Sequence, residues 1–184
     1  MLREDIFGNL PKVAHTAYID NTAILIGNII IGENVYIGPN VVIRADEISV
    51  SYNVGKIVIK DGASIYDGVN INTIEGSYIV IGENTIISNG VIIKGSCSIG
   101  DYCSVNVKSI IYNSSIGNNC FIGINTILDN INIENNIMID SGCILTRENF
   151  NNFLKPITKE KEDTIIKANT ANKVLVNGYK MIGY

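Results

Sequence analysis

The side chains with the greatest potential for chemistry in this sequence are a histidine and four cysteines. His15 is the only histidine, so one chain cannot supply several imidazoles to a zinc ion. A Ser-His or Cys-His pair would also have to use His15. Because His15 precedes the first regular segment and neighbours no obvious nucleophile, we expect it to be structural or to face solvent.

The cysteines Cys97, Cys103, Cys120 and Cys143 do not have the Cys-x-x-Cys spacing of a zinc ribbon. All four fall at the fifth position of a six-residue repeat, and that position points inward in the predicted fold. A buried free cysteine behaves as a small apolar residue, so we expect the four to pack in the core. Oxidation or metal binding by the stacked pair Cys103 and Cys120 is the alternative.

A six-residue repeat organises most of the chain. A large aliphatic residue occupies the first position, Gly is frequent at the second, and polar turn formers follow, as in the hexads 31–36 and 37–42. Three hexads close one triangular coil, and the inward side chains of each coil stack on the next coil. The sequence therefore predicts an all-β solenoid, a parallel β-helix. The hexads that start at Ile111 and Leu128 are one residue short, which predicts contracted coils there.

Two segments interrupt the repeat, 45–56 and 73–80. Loops that leave a rigid scaffold often carry function. After Leu145 the repeat stops, and apolar residues at three- to four-residue spacing predict a helix from about Thr158, its N-cap, to Tyr179. The predicted organisation is a β-helix over 1–147, with an N-terminal cap and the two loops, followed by a linker and a C-terminal helix over 148–184.

The chain resembles the γ-class carbonic anhydrases over nearly its whole length. Beyond the hexads, the resemblance rests on residues 17–20, on the Arg-x-Asp segment at 43–47 and on the coil at 65–69. It implies that the β-helix is left-handed and that Asn177, on the C-terminal helix, faces the site. It also implies a homotrimer in which each pair of neighbouring subunits holds one zinc ion.

The positions that bind zinc in that family do not hold histidine in this chain. In the frame of the repeat they are Asn72, Asn89 and Lys94, with two ligands from one chain and one from the next. An amide oxygen is a poor zinc ligand, and a lysine ammonium repels the ion unless it loses its proton. We therefore expect no zinc, no other cofactor and no zinc-dependent hydratase activity.

Two interpretations of Lys94 stay open. In the first, Lys94 supplies the positive charge that zinc would have supplied, with Asp67 or Glu47 as its partner. The cleft, lined by Tyr66, Asp67, Asn72, Asn89, Lys94 and Asn177, then binds a small anion such as bicarbonate or a carboxylate. In the second, Lys94 is an ordinary solvated side chain, as most lysines are.

The carboxylates also have two interpretations. Asp46, Glu47 and Asp67 could form a general-base cluster beside a site. Alternatively, Arg44 and Asp46 form a salt bridge at the subunit interface, which is the role that we expect for this pair. Whether the protein is an enzyme stays open, with Asp67, Glu47 and Lys94 as the catalytic candidates.

Three function classes follow. The first is a γ-carbonic-anhydrase-like trimer that binds a small anion or a partner at the subunit boundary without zinc chemistry. The second is a carbonic anhydrase with an atypical metal site, for which Asn72, Asn89, Asp67 and Glu47 offer oxygen ligands. The third is a CoA-dependent acyltransferase, although the repeats contain no histidine to act as its base.

Composition limits the partners and the location. The net charge is −4 and the basic residues are scattered, so we expect no nucleic acid partner. There is no uninterrupted apolar run of about 18 residues or more and no signal-peptide pattern, so we expect a cytoplasmic protein without a membrane span. Ile92, Ile110, Ile127 and Ile144 occupy the outward sixth position of their hexads. Such an apolar stripe marks an interface and agrees with a homotrimer.

Overall fold

The computed structural model describes residues 1–182, so the last two residues of the predicted segment 148–184 lie outside it. Short strands alternate with tight turns up to the C-terminal helix. The elements are β1 (Leu2–Arg3), β2 (Lys12–Val13), β3 (Tyr18–Ile19), β4 (Ile24–Gly27), β5 (Ile29–Ile31), β6 (Tyr36–Ile37), β7 (Val42–Ala45), β8 (Lys56–Ile59), β9 (Ser64–Ile65), β10 (Asn70–Asn72), β11 (Tyr78–Ile81), β12 (Ile86–Ile87), β13 (Ile92–Lys94), β14 (Cys97–Ile99), β15 (Ser104–Val105), β16 (Ile110–Tyr112), β17 (Ser115–Ile116), β18 (Phe121–Ile122), β19 (Ile127–Asp129), β20 (Asn132–Ile133), β21 (Ile137–Ile139), β22 (Ile144–Leu145), a 3₁₀ turn (Phe150–Asn152), β23 (Lys155–Pro156) and α1 (Lys159–Met181).

Every third strand joins the same sheet, which gives three parallel sheets along one axis. Within residues 1–182, the first sheet runs from β1 through β4, β7 and β10 to β22, and the second from β2 through β5 and β8 to β20. The third runs from β3 through β6 and β9 to β21, where β23 is added antiparallel. These sheets confirm the predicted left-handed β-helix of hexapeptide repeats with one C-terminal helix.

The core is the stack of first-position aliphatic side chains. In the first sheet Ile43, Ile71, Ile93 and Ile111 are in register and have no exposed surface. Burying each of these side chains contributes about 1.5–3 kcal/mol relative to leaving it exposed. Further along, Ile110 pairs with Ile127, which confirms that the hexad starting at Ile111 is one residue short.

Asparagine at the turns explains why this residue type is so frequent. Asn34, Asn84 and Asn125 have φ values of 54°, 50° and 53°, in the left-handed region. Asparagine tolerates this region better than most residues because its short side chain forms local hydrogen bonds. Asparagine side chains also link successive coils: the amide Oδ1 of Asn135 accepts a bond from the Asn118 backbone N–H at 2.7 Å.

Three of the four cysteines are buried in the core, as predicted. Their thiols bond to turn carbonyls of the next coil: Cys103 donates to the Gly117 oxygen at 3.0 Å and Cys120 to the Glu134 oxygen at 3.1 Å. Cys143 is only half-buried. It lies in the last regular coil, where there is no further coil to cover its inward side chain.

Helix α1 covers the third sheet and leaves the outer faces of the other two sheets without a cover from this chain. It begins one residue after Thr158, as predicted, and buries Ile165, Asn169, Asn172 and Val176. Ala168, Leu175 and Tyr179, which share the three- to four-residue spacing that predicted the helix, are only half-buried. No helix within residues 1–182 is both long enough and apolar enough to cross a bilayer.

The two breaks in the repeat are loops next to each other in space. The first loop, residues 46–55, contains an antiparallel bridge between Ile48 and Val54, and we call it the hairpin loop. The second loop covers residues 73–77. It is shorter than the predicted segment 73–80 because β11 already begins at Tyr78.

Candidate functional site

A row of polar side chains crosses the outer face of the first sheet where the two loops emerge. Asn72 on β10 is in register with Arg44 on β7 and with Lys94 on β13. Side chains alternate along a strand, and the preceding residues of these strands point into the core. Arg44, Asn72 and Lys94 therefore lie side by side on the outside, on strands about 4.8 Å apart.

The two loops turn this row into a depression of about 250 Å³. The residues that line it are Arg44, Asp46, Glu47, Asn72, Thr73 and Lys94. Five of these six belong to the site residues that the sequence predicted. The exception is Thr73, which the sequence placed only at the start of a loop.

The loops hold each other in place through close backbone contact. A Cβ atom on Gly55 would lie 2.5 Å from the Thr73 side chain and 2.6 Å from the Ser77 carbonyl oxygen. No real Cβ contact is that short, so a glycine is required where the hairpin loop meets the second loop. The Lys56 N–H donates to the same Ser77 oxygen at 3.1 Å.

The Arg44 charge is neutralised within the chain. Its Nε donates to Asp46 Oδ1 at 3.0 Å and its Nη2 to Asp46 Oδ2 at 2.8 Å, a bidentate pair. The hydrogen bond to Asp46 raises the pKa of Arg44 above its usual value. Lys94 and Glu47 form no ion pair with any side chain in residues 1–182, so Lys94 is the unpaired cation of the depression.

Two buried polar atoms of the lining have no partner within the described part of the chain. They are Asn72 Oδ1 and Thr73 Oγ1. The other amide atom of Asn72, Nδ2, donates to Asn70 Oδ1 at 2.6 Å, and Thr73 has no exposed surface. Buried polar atoms normally have a partner, so these two adjacent oxygens keep unused hydrogen-bonding capacity beside the depression.

Asp67 and Asn89 lie outside this depression, one coil apart on the corner where the third sheet passes into the first. The Gly90 N–H donates to the Asp67 carbonyl oxygen at 3.0 Å across the two turns. Both side chains are exposed. Burial of the Tyr36 phenol, with the Asp67 carboxylate nearby, raises the pKa of Tyr36 to about 12. Within one chain, neither Asp67 nor Asn89 joins Lys94.

Tyr66 and Asn177 lie at helix α1 and not at the depression around Lys94. The Tyr66 hydroxyl bonds to Asn172 on α1, and burial raises the pKa of this phenol. Asn177 is exposed and, with Lys173, lines a second depression of about 400 Å³ between α1 and the turns at Asn34 and Asn84. The depression around Lys94 contains neither of them.

The histidine and the cysteines take no part in the site. The His15 side chain is 88% exposed, and its Nδ1 is 4.0 Å from Glu33. Burial raises the pKa of Cys97, and the contact with Cys120 together with burial raises the pKa of Cys103. The same contact lowers the pKa of Cys120, but Cys103 and Cys120 are both buried and neither lines the depression. Residues 1–182 contain no cluster of three or more His, Cys, Asp or Glu side chains arranged to hold a metal ion.

Comparisons with known proteins agree with this architecture. The family model "Bacterial transferase hexapeptide (six repeats)" matches residues 11–45. The Carnitine operon protein CaiE of Escherichia coli O157:H7 is 34% identical over 104 residues, which cover 56% of this chain and 49% of CaiE. The chain thus spans about half the length of the curated relatives it matches.

Two solved structures share the fold over almost the whole chain. A hexapeptide transferase family protein from Anaplasma phagocytophilum has a TM-score of 0.82 at 23% identity and covers 97% of this chain and 98% of its own. A Bacillus cereus protein has a TM-score of 0.85 at 21% identity and covers 99% of this chain and 98% of its own. At these identities the likeness establishes the fold.

Proposed function

Because the chain is a hexapeptide-repeat left-handed β-helix protein, we propose that it assembles as a homotrimer and binds a small anion in the depression around Lys94. The anion is bicarbonate or a small carboxylate. The observation that supports this function is the in-register row Arg44, Asn72 and Lys94 beneath two loops, with unpartnered oxygens on Asn72 and Thr73.

The charges favour a small anion as the ligand. Asp46 already neutralises Arg44, so the net attraction comes from Lys94. The Thr73 hydroxyl is a donor and the Asn72 oxygen an acceptor, but both atoms are buried in the single chain. In the proposed complex the loop side chains shift to admit the anion, which then meets a cation, a donor and an acceptor in a depression of about 250 Å³.

The boundary between two copies would complete this site. The outer face of the first sheet exposes an apolar stripe in which Ile92 is 40% and Ile144 57% exposed, with Ile110 and Ile127 half-buried between them. Apolar stripes on solvated sheet faces mark interfaces. In the proposed ring, the third-to-first corner of one copy packs on this face of the next copy and brings Asp67 and Asn89 to the row.

We propose that the site works without zinc. The row offers an amide and an ammonium where zinc needs imidazoles, thiolates or carboxylates. From the corner and the rim, Asn89, Asp67 and Glu47 add one amide and two carboxylates. These oxygen donors suit harder cations better than zinc, and the Lys94 ammonium repels a metal ion, so zinc hydration of CO₂ is not part of the proposed function.

The direct test is anion binding by the Lys94→Ala variant. Isothermal titration calorimetry with bicarbonate, and with acetate as a simple carboxylate, measures the affinity. A hydrogen bond to a charged group contributes about 1.5–3 kcal/mol, so affinity should fall about tenfold or more. Lys12→Ala, which removes an exposed lysine from the second sheet, should leave binding unchanged. Equal affinities for Lys94→Ala and the native chain would refute the anion site.

Metal content separates the proposed function from the atypical metal site. After dialysis against zinc, elemental mass spectrometry should find no metal above background. Within one chain the oxygen ligands of the alternative site are divided: Asn72 and Glu47 lie at the depression, whereas Asp67 and Asn89 lie on the corner, which the proposed trimer brings to the depression of the next copy. About one tightly held ion per chain would favour the alternative and call for hydratase assays.

A CoA-dependent acyltransferase is the second candidate, favoured by the shared fold with a hexapeptide transferase family protein. The depression of about 400 Å³ beside Lys173 and Asn177 is the place where a cofactor could lie along the coils. If CoA raises the melting temperature, this function gains support. If CoA leaves the melting temperature unchanged and bicarbonate binds, the anion site stands alone.

A further inference from the structure

The hairpin loop presents an ordered apolar tip to solvent. Ser49 and Asn53 form its base, since the Ser49 N–H donates to the Asn53 oxygen at 2.9 Å and the Asn53 N–H donates to Ser49 Oγ at 3.1 Å. At the tip, Val50 is 97% and Tyr52 79% exposed. A hydrogen-bonded loop that holds a valine and a tyrosine in water gains stability when another surface covers them.

Helix α1 carries an apolar groove on the flank next to the third-to-first corner. The groove measures about 450 Å³ and is lined by Ala171, Val174, Leu175, Gly178, Tyr179 and Ile182. Val174 is 69% and Ile182 67% exposed. The small residues Ala171 and Gly178 leave room for side chains from outside, so we call this surface the helix groove.

The helix groove lies beside the corner that carries Asp67 and Asn89. Tyr179 at the groove stacks on Tyr18 at 4.6 Å, and both pack with Tyr36, whose phenol is near Asp67. Lys173 is on the opposite flank of α1, toward the second-to-third corner. The groove therefore opens toward the corner that the proposed trimer packs against a neighbour.

The hairpin loop leaves from the other side of that boundary. It connects β7 of the first sheet to β8 of the second, so it projects from the first-to-second corner, beside the row at Arg44. Along the solenoid axis, the hairpin loop lies at the height of the coil that contains Tyr36. The helix groove lies at the same height. In the proposed trimer the rotation axis runs parallel to the solenoid and preserves levels, so this loop of one copy would face the helix groove of the next.

We propose that the hairpin loop of one copy docks in the helix groove of the neighbouring copy through Val50 and Tyr52. The partner is a second copy of this chain, and the inference rests on the proposed trimer. Both surfaces are apolar and exposed in the single chain, and they lie at one level on the two sides of one boundary. Docking would also close the outer side of the depression around Lys94, because Asp46 and Glu47 belong to the same loop.

Disulfide trapping tests this contact. In a Cys143→Ser background, the double variant Val50→Cys with Val174→Cys is treated with diamide, which takes up the two hydrogens as the disulfide forms. We expect linked dimers and closed trimers on a non-reducing gel. The matched control replaces Val174→Cys by Lys173→Cys, on the opposite flank of α1, and should give no linked trimer. The three other cysteines are buried and appear equally in both variants.

Sedimentation of the same samples distinguishes the two proposals. A trimer that links through Val50 and Val174 supports the docking. A trimer that does not link, or that links equally in the Lys173 control, refutes the docking and leaves the proposed assembly intact. A monomer refutes both.

A second variant, Val50→Asp, checks the energetic contribution of the contact. Val50 is almost fully exposed in one chain, so aspartate there does not disturb the fold of the monomer. An aspartate at this position would be buried in an apolar groove. We therefore expect the protein concentration at which the trimer dissociates to be about tenfold higher, or more, for the variant than for the native chain. An unchanged dissociation constant would overturn the docking.

Discussion

At the scale of residues, the site consists of one unpaired cation and the polar atoms around it. Arg44 is a bidentate partner of Asp46, whereas Lys94 has no ion-pair partner in the described chain. The repeat frame placed Asn72 and Lys94 side by side on one sheet face, because hexads assign each position to a face. The frame did not identify Thr73, since the burial of its hydroxyl depends on how Gly55 of the other loop packs against it.

A substitution at Glu47 should change the bicarbonate affinity in opposite directions for an anion site and for a metal site. Glu47→Gln removes an exposed negative charge from the rim of the depression. Exposed charge interactions amount to about 0.2–1 kcal/mol, so bicarbonate affinity should rise by a factor of up to about five, and the gain should shrink at high salt. Calorimetry at two ionic strengths measures both effects. Glu83→Gln, on a distant turn, is the control.

Weaker anion binding by the Glu47→Gln variant would show that the Glu47 carboxylate supports the site. It could do so by holding Lys94 in place or by binding a cation together with Asn72. The atypical metal site would then become the better explanation.

At the scale of elements, the sequence predicted the solenoid well but not the surroundings of its faces. The positions of the strands could be predicted because aliphatic residues such as Ile71 and Ile93 recur at a fixed spacing. Only positions that point into the core keep an apolar residue in every coil. What covers a face depends on the rotation of α1, which the repeat does not encode. Tyr66 illustrates this limit: the family resemblance placed it in the cleft, but in the structure it lies under α1 and bonds to Asn172.

Tyr66→Phe tests how α1 is held on the third sheet. The substitution removes the hydroxyl that bonds to Asn172 Oδ1, while Asn172 Nδ2 already has no partner in the described chain. A buried amide would then be left without hydrogen bonds, which costs about 1–3 kcal/mol. Urea unfolding followed by circular dichroism measures the change.

The control for this prediction is Tyr102→Phe, because the Tyr102 side chain is 50% exposed. Its unfolding midpoint should stay within error of the native value. If Tyr66→Phe is equally neutral, the contact between Tyr66 and Asn172 does not hold the helix. A water or a shifted helix would then have to satisfy Asn172.

At the scale of the whole molecule, the three faces of the solenoid differ in what covers them. Helix α1 covers the third sheet, so Tyr18, Tyr36 and Ile86 are buried there. On the outer face of the second sheet, the half-buried Ile30, Val58 and Val80 lie in register, and small polar side chains such as Ser98 continue the row. The first sheet combines an apolar stripe with the polar row, and of these two faces only the first has the depression around Lys94 beside it. Assembly and anion binding are therefore expected to depend on the same surface.

Ile127→Glu tests whether assembly uses this surface. Ile127 is half-buried on the outer side of β19, two coils from Lys94, so a change there does not touch the anion-binding row. In a trimer, the glutamate would be buried against the neighbour, at a cost of about 2 kcal/mol or more at each interface. We expect a monomer in sedimentation velocity at micromolar concentration, with the circular dichroism spectrum of the native chain. Ser98→Glu places the same charge on the second sheet and should remain trimeric.

If the corner residues Asp67 and Asn89 complete the site, the monomeric Ile127→Glu variant should also bind bicarbonate more weakly, although Lys94 is intact. A monomer that binds bicarbonate as tightly as the trimer would instead mean that the row and the two loops of one chain form the whole site.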